Sequence, residues 1–166
     1  MSKIVHINNG VDFLEYKKNI SDYVIDDDDL NDKSKFKVIY VGSIRAANNI
    51  RNLVDVAIKL KEDNINNVCI LIYGDGNERA DLENECKKLQ LDNIVFKGKV
   101  DKKYIPYILS KSNLNILNYK QASTWKYGGS QNKQFEYLAS GRPICANVKM
   151  GYSIINEYKC GIEEDF

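Results

Sequence analysis

Residues 127–143 hold the groups best suited to binding an anionic ligand. Ser130 is a typical helix N-cap, and Gly141 followed by Pro143 is a typical helix end, so we predict a helix between them. The first amides of a helix have no partner within it and carry the positive end of its dipole, which favours a diphosphate there. Lys133 in the first turn opposes that dipole, and a bound anion would relieve the opposition. The predicted ligand-binding residues of this segment are Ser130, Gln131, Asn132 and Lys133.

Glu136 is the candidate for contacts to a sugar ring in the same segment. It follows Asn132 and Lys133 by four and three residues, so the three side chains are predicted to share one helix face. A carboxylate at that position can accept hydrogen bonds from the diol of a ribose. A solvent-facing glutamate is the alternative, and the residues alone favour that alternative.

Glycine follows three short apolar runs, at Gly42, at Gly74 with Gly76, and at Gly98. If these runs are parallel strands, the glycines lie at the carboxyl ends, where the ligand crevice of an open α/β sheet forms. Glycine lets the backbone approach a ligand closely, although each glycine alone is equally well explained by a tight turn. Arg45 follows the first run and could reach a phosphate; a simple surface role explains it equally well.

Several function classes are disfavoured by the composition and by missing motifs. The net charge of +1 creates no global field for a nucleic acid, so no nucleic-acid partner is expected. Gly74 and Gly76 lack the third glycine of a dinucleotide fingerprint, which disfavours a nicotinamide-dependent oxidoreductase, and no GxxxxGK[ST] loop is present. Four scattered cysteines and the single histidine, His6, predict no metal site.

The apolar pattern that must position these residues predicts an α/β fold with a doubly wound, Rossmann-like parallel sheet. Amphipathic runs at helical spacing separate the strands and are predicted to pack on both faces of the sheet. The domain is predicted to span residues 35–166 and to be truncated at its C-terminus. Residues 1–34 are predicted to form a short strand at Ile4, Val5 and Ile7 and then an exposed linker around the acidic run Asp26 to Asp29. The predicted strands are Lys37 to Val41, Val68 to Tyr73, Ile94 to Lys97, Leu114 to Leu117 and Ile144 to Ala146.

Five segments together resemble the C-terminal, donor-binding half of a GT-B glycosyltransferase, of the family called glycosyl transferases group 1 or family 4. Their order and spacing are more specific than any one of them. The segments are 7–12 (INNGVD), 41–45 (VGSIR), 72–78 (IYGDGNE), 95–100 (VFKGKV) and 132–144 (NKQFEYLASGRPI).

The resemblance assigns roles to individual residues. Glu136 matches the second glutamate of the family's EX7E motif, which holds the donor ribose, while Gly128 stands in place of the first. Ser43 replaces the usual arginine after the first strand, and Arg45 is the substitute candidate for the diphosphate. The resemblance therefore implies that Glu136 and Arg45 are the catalytic residues.

The same resemblance assigns the remaining binding residues to the loops after the first three strands. Backbone atoms of Lys99 and Val100 are expected to meet the base of the nucleotide. Gly42, Ser43, Gly74 and Gly76 are expected to form the rest of the donor crevice.

For the whole protein, the resemblance implies retaining, metal-independent transfer of a glycosyl unit from a UDP- or GDP-linked sugar, with no cofactor. A role in bacterial surface polysaccharide or glycolipid biosynthesis is expected. The acceptor-binding N-terminal domain is the expected partner, and without it the chain is an incomplete, poorly active half. A cytoplasmic location is expected, with membrane contact only through that half or a lipid-linked acceptor. The alternative is a nonenzymatic nucleotide-binding subunit that pairs with a separate acceptor domain.

Overall fold

Six parallel strands form one sheet in the computed structural model, which describes residues 7–165. The strands lie in the order β3-β2-β1-β4-β5-β6. From the centre of the sheet, β1, β2 and β3 follow one another to one edge, and β4, β5 and β6 follow one another to the other. The strand order therefore reverses between β1 and β4, where the ligand crevice of such a fold is expected. The strands are β1 (Phe36–Val41), β2 (Val68–Tyr73), β3 (Ile94–Gly98), β4 (Leu114–Leu117), β5 (Ile144–Ala146) and β6 (Gly161–Glu163).

Central strands are buried on both faces, which explains why they read as continuous apolar runs in the sequence. Ile39 and Tyr40 on β1, and Leu71 and Ile72 on β2, are all fully buried. The predicted strands are confirmed to within one residue: β1 begins at Phe36 and β3 extends to Gly98. β6 was not predicted from the sequence.

Helices cover both faces of the sheet, as predicted. One face packs against α3 and α4 through residues such as Leu53 and Leu82. The other packs against α5 and α6 through residues such as Ile108 and Tyr137. No helix among residues 7–165 is long and apolar enough to cross a membrane. The helices are α1 (Phe13–Asp22), α2 (Asp28–Asn31), α3 (Arg51–Glu62), α4 (Arg79–Lys88), α5 (Ile105–Ser110), α6 (Asn132–Ala139) and α7 (Ile154–Glu157).

The predicted exposed linker around Asp26 to Asp29 is wrong. The segment folds back as α2, which places Leu30 in the main core with 1% of its surface exposed. Lys97 on β3 donates to Asp27 at 2.7 Å and to Asp29 at 2.6 Å, so two of the acidic side chains have a counter-charge from the sheet. The predicted strand at Ile4 and Val5 lies outside the described residues.

Candidate functional site

A crevice of about 650 Å³ lies at the carboxyl ends of β1, β2 and β3. It is lined mainly by the loops that follow these strands, as expected for an open parallel sheet. The structure thus brings together the residues that the sequence placed after its first three strands. The predicted site residues in this crevice are Gly42, Ser43, Arg45, Gly74, Gly76, Lys99 and Val100.

The glycines of this crevice are required by contacts between the loops themselves. A Cβ on Gly74 would lie 1.8 Å from the carbonyl oxygen of Gly42, and one on Gly76 would lie 2.1 Å from that of Ile44. The Ile44 amide also donates to the Asp75 carbonyl at 2.9 Å, so the loops after β1 and β2 are joined directly. The wall of the crevice is therefore closely packed backbone.

The loop after β1 is held by an asparagine that the sequence analysis did not select. The buried Asn48 side chain donates to the Ser43 carbonyl at 2.7 Å and to its hydroxyl oxygen at 2.9 Å. Asn118, after β4, donates in turn to the Asn48 carbonyl at 2.7 Å. Arg45 in the same loop is exposed and lines the crevice. The run Asn48-Asn49 was a weak signal, because asparagine is equally common in ordinary turns.

Glu136 lies in an adjoining cavity of about 330 Å³, and Ile105 lines both spaces. Only 12% of the Glu136 side chain is exposed, so it is not a solvent-facing helix residue. Burial raises the pKa of Glu136, and Lys102, with its ammonium 3.7 Å from the carboxylate, partly opposes that rise. Tyr16 on α1 also lines this cavity, a contribution that no local pattern in the sequence indicated.

The N-terminus of α6 differs from the prediction at Ser130. Gln131 occupies the N-cap position and makes no side-chain cap bond. Ser130 instead accepts a hydrogen bond from the Asn9 amide at 3.0 Å, which connects it to the N-terminal loop. Ser130 is therefore one residue too early to cap the helix, and its hydroxyl is engaged elsewhere. Asn132 lines the Glu136 cavity, whereas Lys133 does not.

The Lys133 ammonium lies between two aromatic rings and not in the cavity shared by Asn132 and Glu136, so the predicted common face does not extend to this residue. Its ammonium lies 4.6 Å from the ring centre of Tyr40 and 4.7 Å from that of Tyr119. It donates to the Tyr40 hydroxyl at 3.2 Å, and burial lowers the pKa of Lys133 to about 8. None of the ion pairs between described residues includes Lys133.

Tyr137 fixes α6, and with it Glu136 and Lys133, to the centre of the sheet. Its fully buried hydroxyl accepts a hydrogen bond from the Val41 amide at 2.9 Å. Val41 is the last residue of β1, so the contact joins α6 to the edge of the crevice. Between residues 7 and 165, no group of three or more histidine, cysteine, aspartate or glutamate side chains is arranged to hold a metal ion.

A crevice at the carboxyl ends of a doubly wound sheet, with cationic and carboxylate groups at its margins, is typical of a nucleotide-binding domain. Residues 22–162 match the family model for glycosyl transferases group 1. The chain belongs to that family.

Solved structures of glycosyltransferases share the fold. WaaG, involved in lipopolysaccharide biosynthesis, is 18% identical with a TM-score of 0.63, and the match covers 80% of this chain and 34% of WaaG. HepE of Anabaena, solved with UDP-glucose, is 19% identical with a TM-score of 0.64, over 86% of this chain and 38% of HepE. The C-terminal domain of LpcC from Francisella tularensis is 16% identical with a TM-score of 0.61, over 93% of this chain and 80% of that domain.

These matches define which part of a glycosyltransferase the chain represents. It spans about a third of WaaG and HepE but most of the isolated LpcC domain, so it corresponds to the C-terminal domain of a GT-B architecture. A search of the curated proteins finds no match.

Proposed function

We propose that this chain is the donor-binding domain of a glycosyltransferase and that its crevice holds a nucleoside diphosphate sugar. The observation that carries the proposal is the buried Glu136 carboxylate in a cavity that adjoins the glycine-lined crevice at Ile105. A nucleotide spanning the two spaces meets a hydrogen-bond acceptor for its ribose and cationic groups for its phosphates. HepE, which shares the fold, was solved with UDP and with UDP-glucose.

Each part of the donor has a partner in this arrangement. Glu136 accepts hydrogen bonds from the ribose diol, and the backbone of Lys99 and Val100 meets the base. Arg45, Lys133 and the first amides of α6 bind the diphosphate. As the bond from the sugar to the diphosphate breaks, negative charge grows on the leaving group, and these cationic and dipolar groups stabilise it.

For the whole protein we propose retaining transfer without a metal ion, from a UDP- or GDP-linked sugar. A second, N-terminal domain supplies the acceptor site and most of the remaining catalytic groups. Surface polysaccharide or glycolipid assembly in a bacterium is the proposed setting, on the cytoplasmic side of the membrane. WaaG, involved in lipopolysaccharide biosynthesis, is a structural neighbour that agrees with this setting.

Calorimetric titration of the 166-residue chain with UDP, GDP, ADP and CMP, with and without EDTA, tests the donor site. We expect one nucleoside diphosphate to bind selectively and with unchanged affinity in EDTA. Glu136→Ala should weaken that binding by about 1 to 3 kcal/mol, because a charged hydrogen-bond acceptor for the ribose is lost.

The 2′-deoxy form of the same nucleotide tests the ribose contact specifically. It should bind the wild-type chain more weakly than the ribose form, and Glu136→Ala should remove most of that difference. Glu62→Ala, at an exposed glutamate of α3, is the matched control and should bind like the wild type. Absence of binding across the panel, or an unaltered affinity in Glu136→Ala, contradicts the proposal.

A further inference from the structure

The surroundings of Lys133 are unusual for an ammonium group. Its charge lies between the rings of Tyr40 and Tyr119, and no described carboxylate pairs with it. Burying a cation without a counter-charge opposes folding, and two tyrosine rings offset only part of that cost. A residue kept under such conditions is a candidate for binding an anion.

Lys133 is not one of the residues that line the crevice, but its ammonium lies beside Gly42, which is. A Cβ on Gly42 would be 3.2 Å from it, so the absence of a side chain there leaves the backbone turn open next to the charge. Tyr40, which accepts a hydrogen bond from Lys133, donates to the Ser43 carbonyl at 2.8 Å. Tyr40 belongs to β1 and Tyr119 follows β4, so Lys133 lies where the order of the strands reverses.

We infer that Lys133 is the principal cation for the diphosphate of the donor, and that binding the diphosphate draws a proton onto its amine. The inference rests on the proposed function and deepens it. Arg45 is exposed, and its charge is screened by water, whereas Lys133 is only partly exposed, so its charge is screened less.

Proton uptake follows because the free and the nucleotide-bound chain shift the pKa of the Lys133 amine in opposite directions. Burial lowers the pKa of Lys133 to about 8 in the free chain, and a neighbouring diphosphate raises it. Tyr40 and Tyr119 face the ammonium, and burial raises the pKa of both, so their hydroxyls stay neutral when Lys133 titrates. Above pH 8 the free amine is mostly neutral, and binding must recharge it.

Lys133→Met tests the assignment because methionine has a similar length and no charge. We expect the variant to bind UDP or GDP, whichever the wild type binds, about 10- to 100-fold more weakly. Its melting temperature without nucleotide should be equal or higher, since an unpaired buried charge is gone. The corresponding nucleoside, which lacks phosphate, should bind both proteins equally. Arg45→Ala is the comparison and should lose less affinity than Lys133→Met.

A second measurement needs only the wild-type chain. Calorimetry at pH 8.5 in two buffers of different ionisation enthalpy should show that nucleotide binding takes up a fraction of a proton. This proton uptake should fall towards zero at pH 7. An unchanged diphosphate affinity with a lower melting temperature in Lys133→Met, or no proton uptake at pH 8.5, overturns the inference. If the wild type binds no nucleotide, the proposed function fails instead.

Discussion

Two buried tyrosine hydroxyls show how differently single polar groups contribute to the stability of this molecule. The Tyr137 hydroxyl accepts a hydrogen bond from the Val41 amide, whereas the buried Tyr16 hydroxyl has no hydrogen-bond partner among the described residues. A buried amide that loses its acceptor retains the full cost of its desolvation. Removing a hydroxyl that has no partner removes an unfavourable group.

Tyr137→Phe is therefore expected to lower the free energy of unfolding by about 1 to 3 kcal/mol. Tyr16→Phe is the matched control and should leave stability unchanged or slightly raised. Urea denaturation followed by circular dichroism measures both. Equal losses in the two variants would show that the Tyr137 contact to Val41 is not what secures α6.

The site residues differ in how far the sequence alone could identify them. The glycines after the strands were found because they follow apolar runs, and Glu136 was found through its family motif. The burial of Glu136 could not be read locally, since the wall of its cavity comes from Tyr16 on α1. Lys133 was assigned to the helix end for its charge, but its two aromatic neighbours come from β1 and from the loop after β4.

At the scale of elements, α2 is secured to β3 by an ion-pair cluster. Asp27 and Asp29 share Lys97, whose side chain is 17% exposed. Burial alone would raise the pKa of Asp27, but the hydrogen bonds from Lys97 and from the Leu30 amide outweigh it and lower that pKa. A carboxyl with a lowered pKa stabilises the fold above its unfolded value of about 3.9, and the contribution is lost as the pH falls through the folded value.

Asp27→Asn should destabilise the chain by about 1 to 3 kcal/mol at pH 7, because the charge that Lys97 faces is removed while asparagine can still cap α2. The difference should vanish in acid below the lowered pKa of Asp27, where the folded aspartate is itself protonated. Denaturant titrations at pH 7 and in that acid range measure this. Asp26→Asn, at the exposed neighbour, is the control. A constant difference between Asp27→Asn and wild type at both pH values would contradict the ionic explanation.

The elements that the sequence predicted well are those whose signal is local. β1 and β2 are apolar on both faces, and that pattern alone places them. β6 has three residues, and its buried Glu163 accepts hydrogen bonds from the Met150 amide and the Ser153 hydroxyl, partners ten or more residues away. The acidic run before β1 was interpreted as solvated because it is a block of like charge; its counter-charge, Lys97, lies about 70 residues away and gives no local signal.

At the scale of the whole molecule, the part of the N-terminal segment that forms α1 and α2 belongs to the folded unit. Leu30 lies in the main core with 1% of its surface exposed, and Tyr16 is 3% exposed where α1 packs on α5. Burying such side chains contributes about 1.5 to 3 kcal/mol each. The predicted boundary at residue 35 would cut through this packing and would also leave Lys97 without its two carboxylates.

A chain reduced to residues 35–166 is therefore expected to lose at least about 3 kcal/mol of stability and to unfold at a clearly lower temperature than the full chain. Leu30→Ala in the full chain should reproduce part of the loss, about 2 to 5 kcal/mol, whereas Val24→Ala, at a 58% exposed position of the same segment, should have little effect. Thermal and denaturant unfolding compare the proteins. Equal stability of the shortened and full chains would show that residues 1–34 are a separate linker after all. A loss confined to the shortened chain and Leu30→Ala shows that α1 and α2 belong to the folded unit, whose α1 also lines the Glu136 cavity through Tyr16.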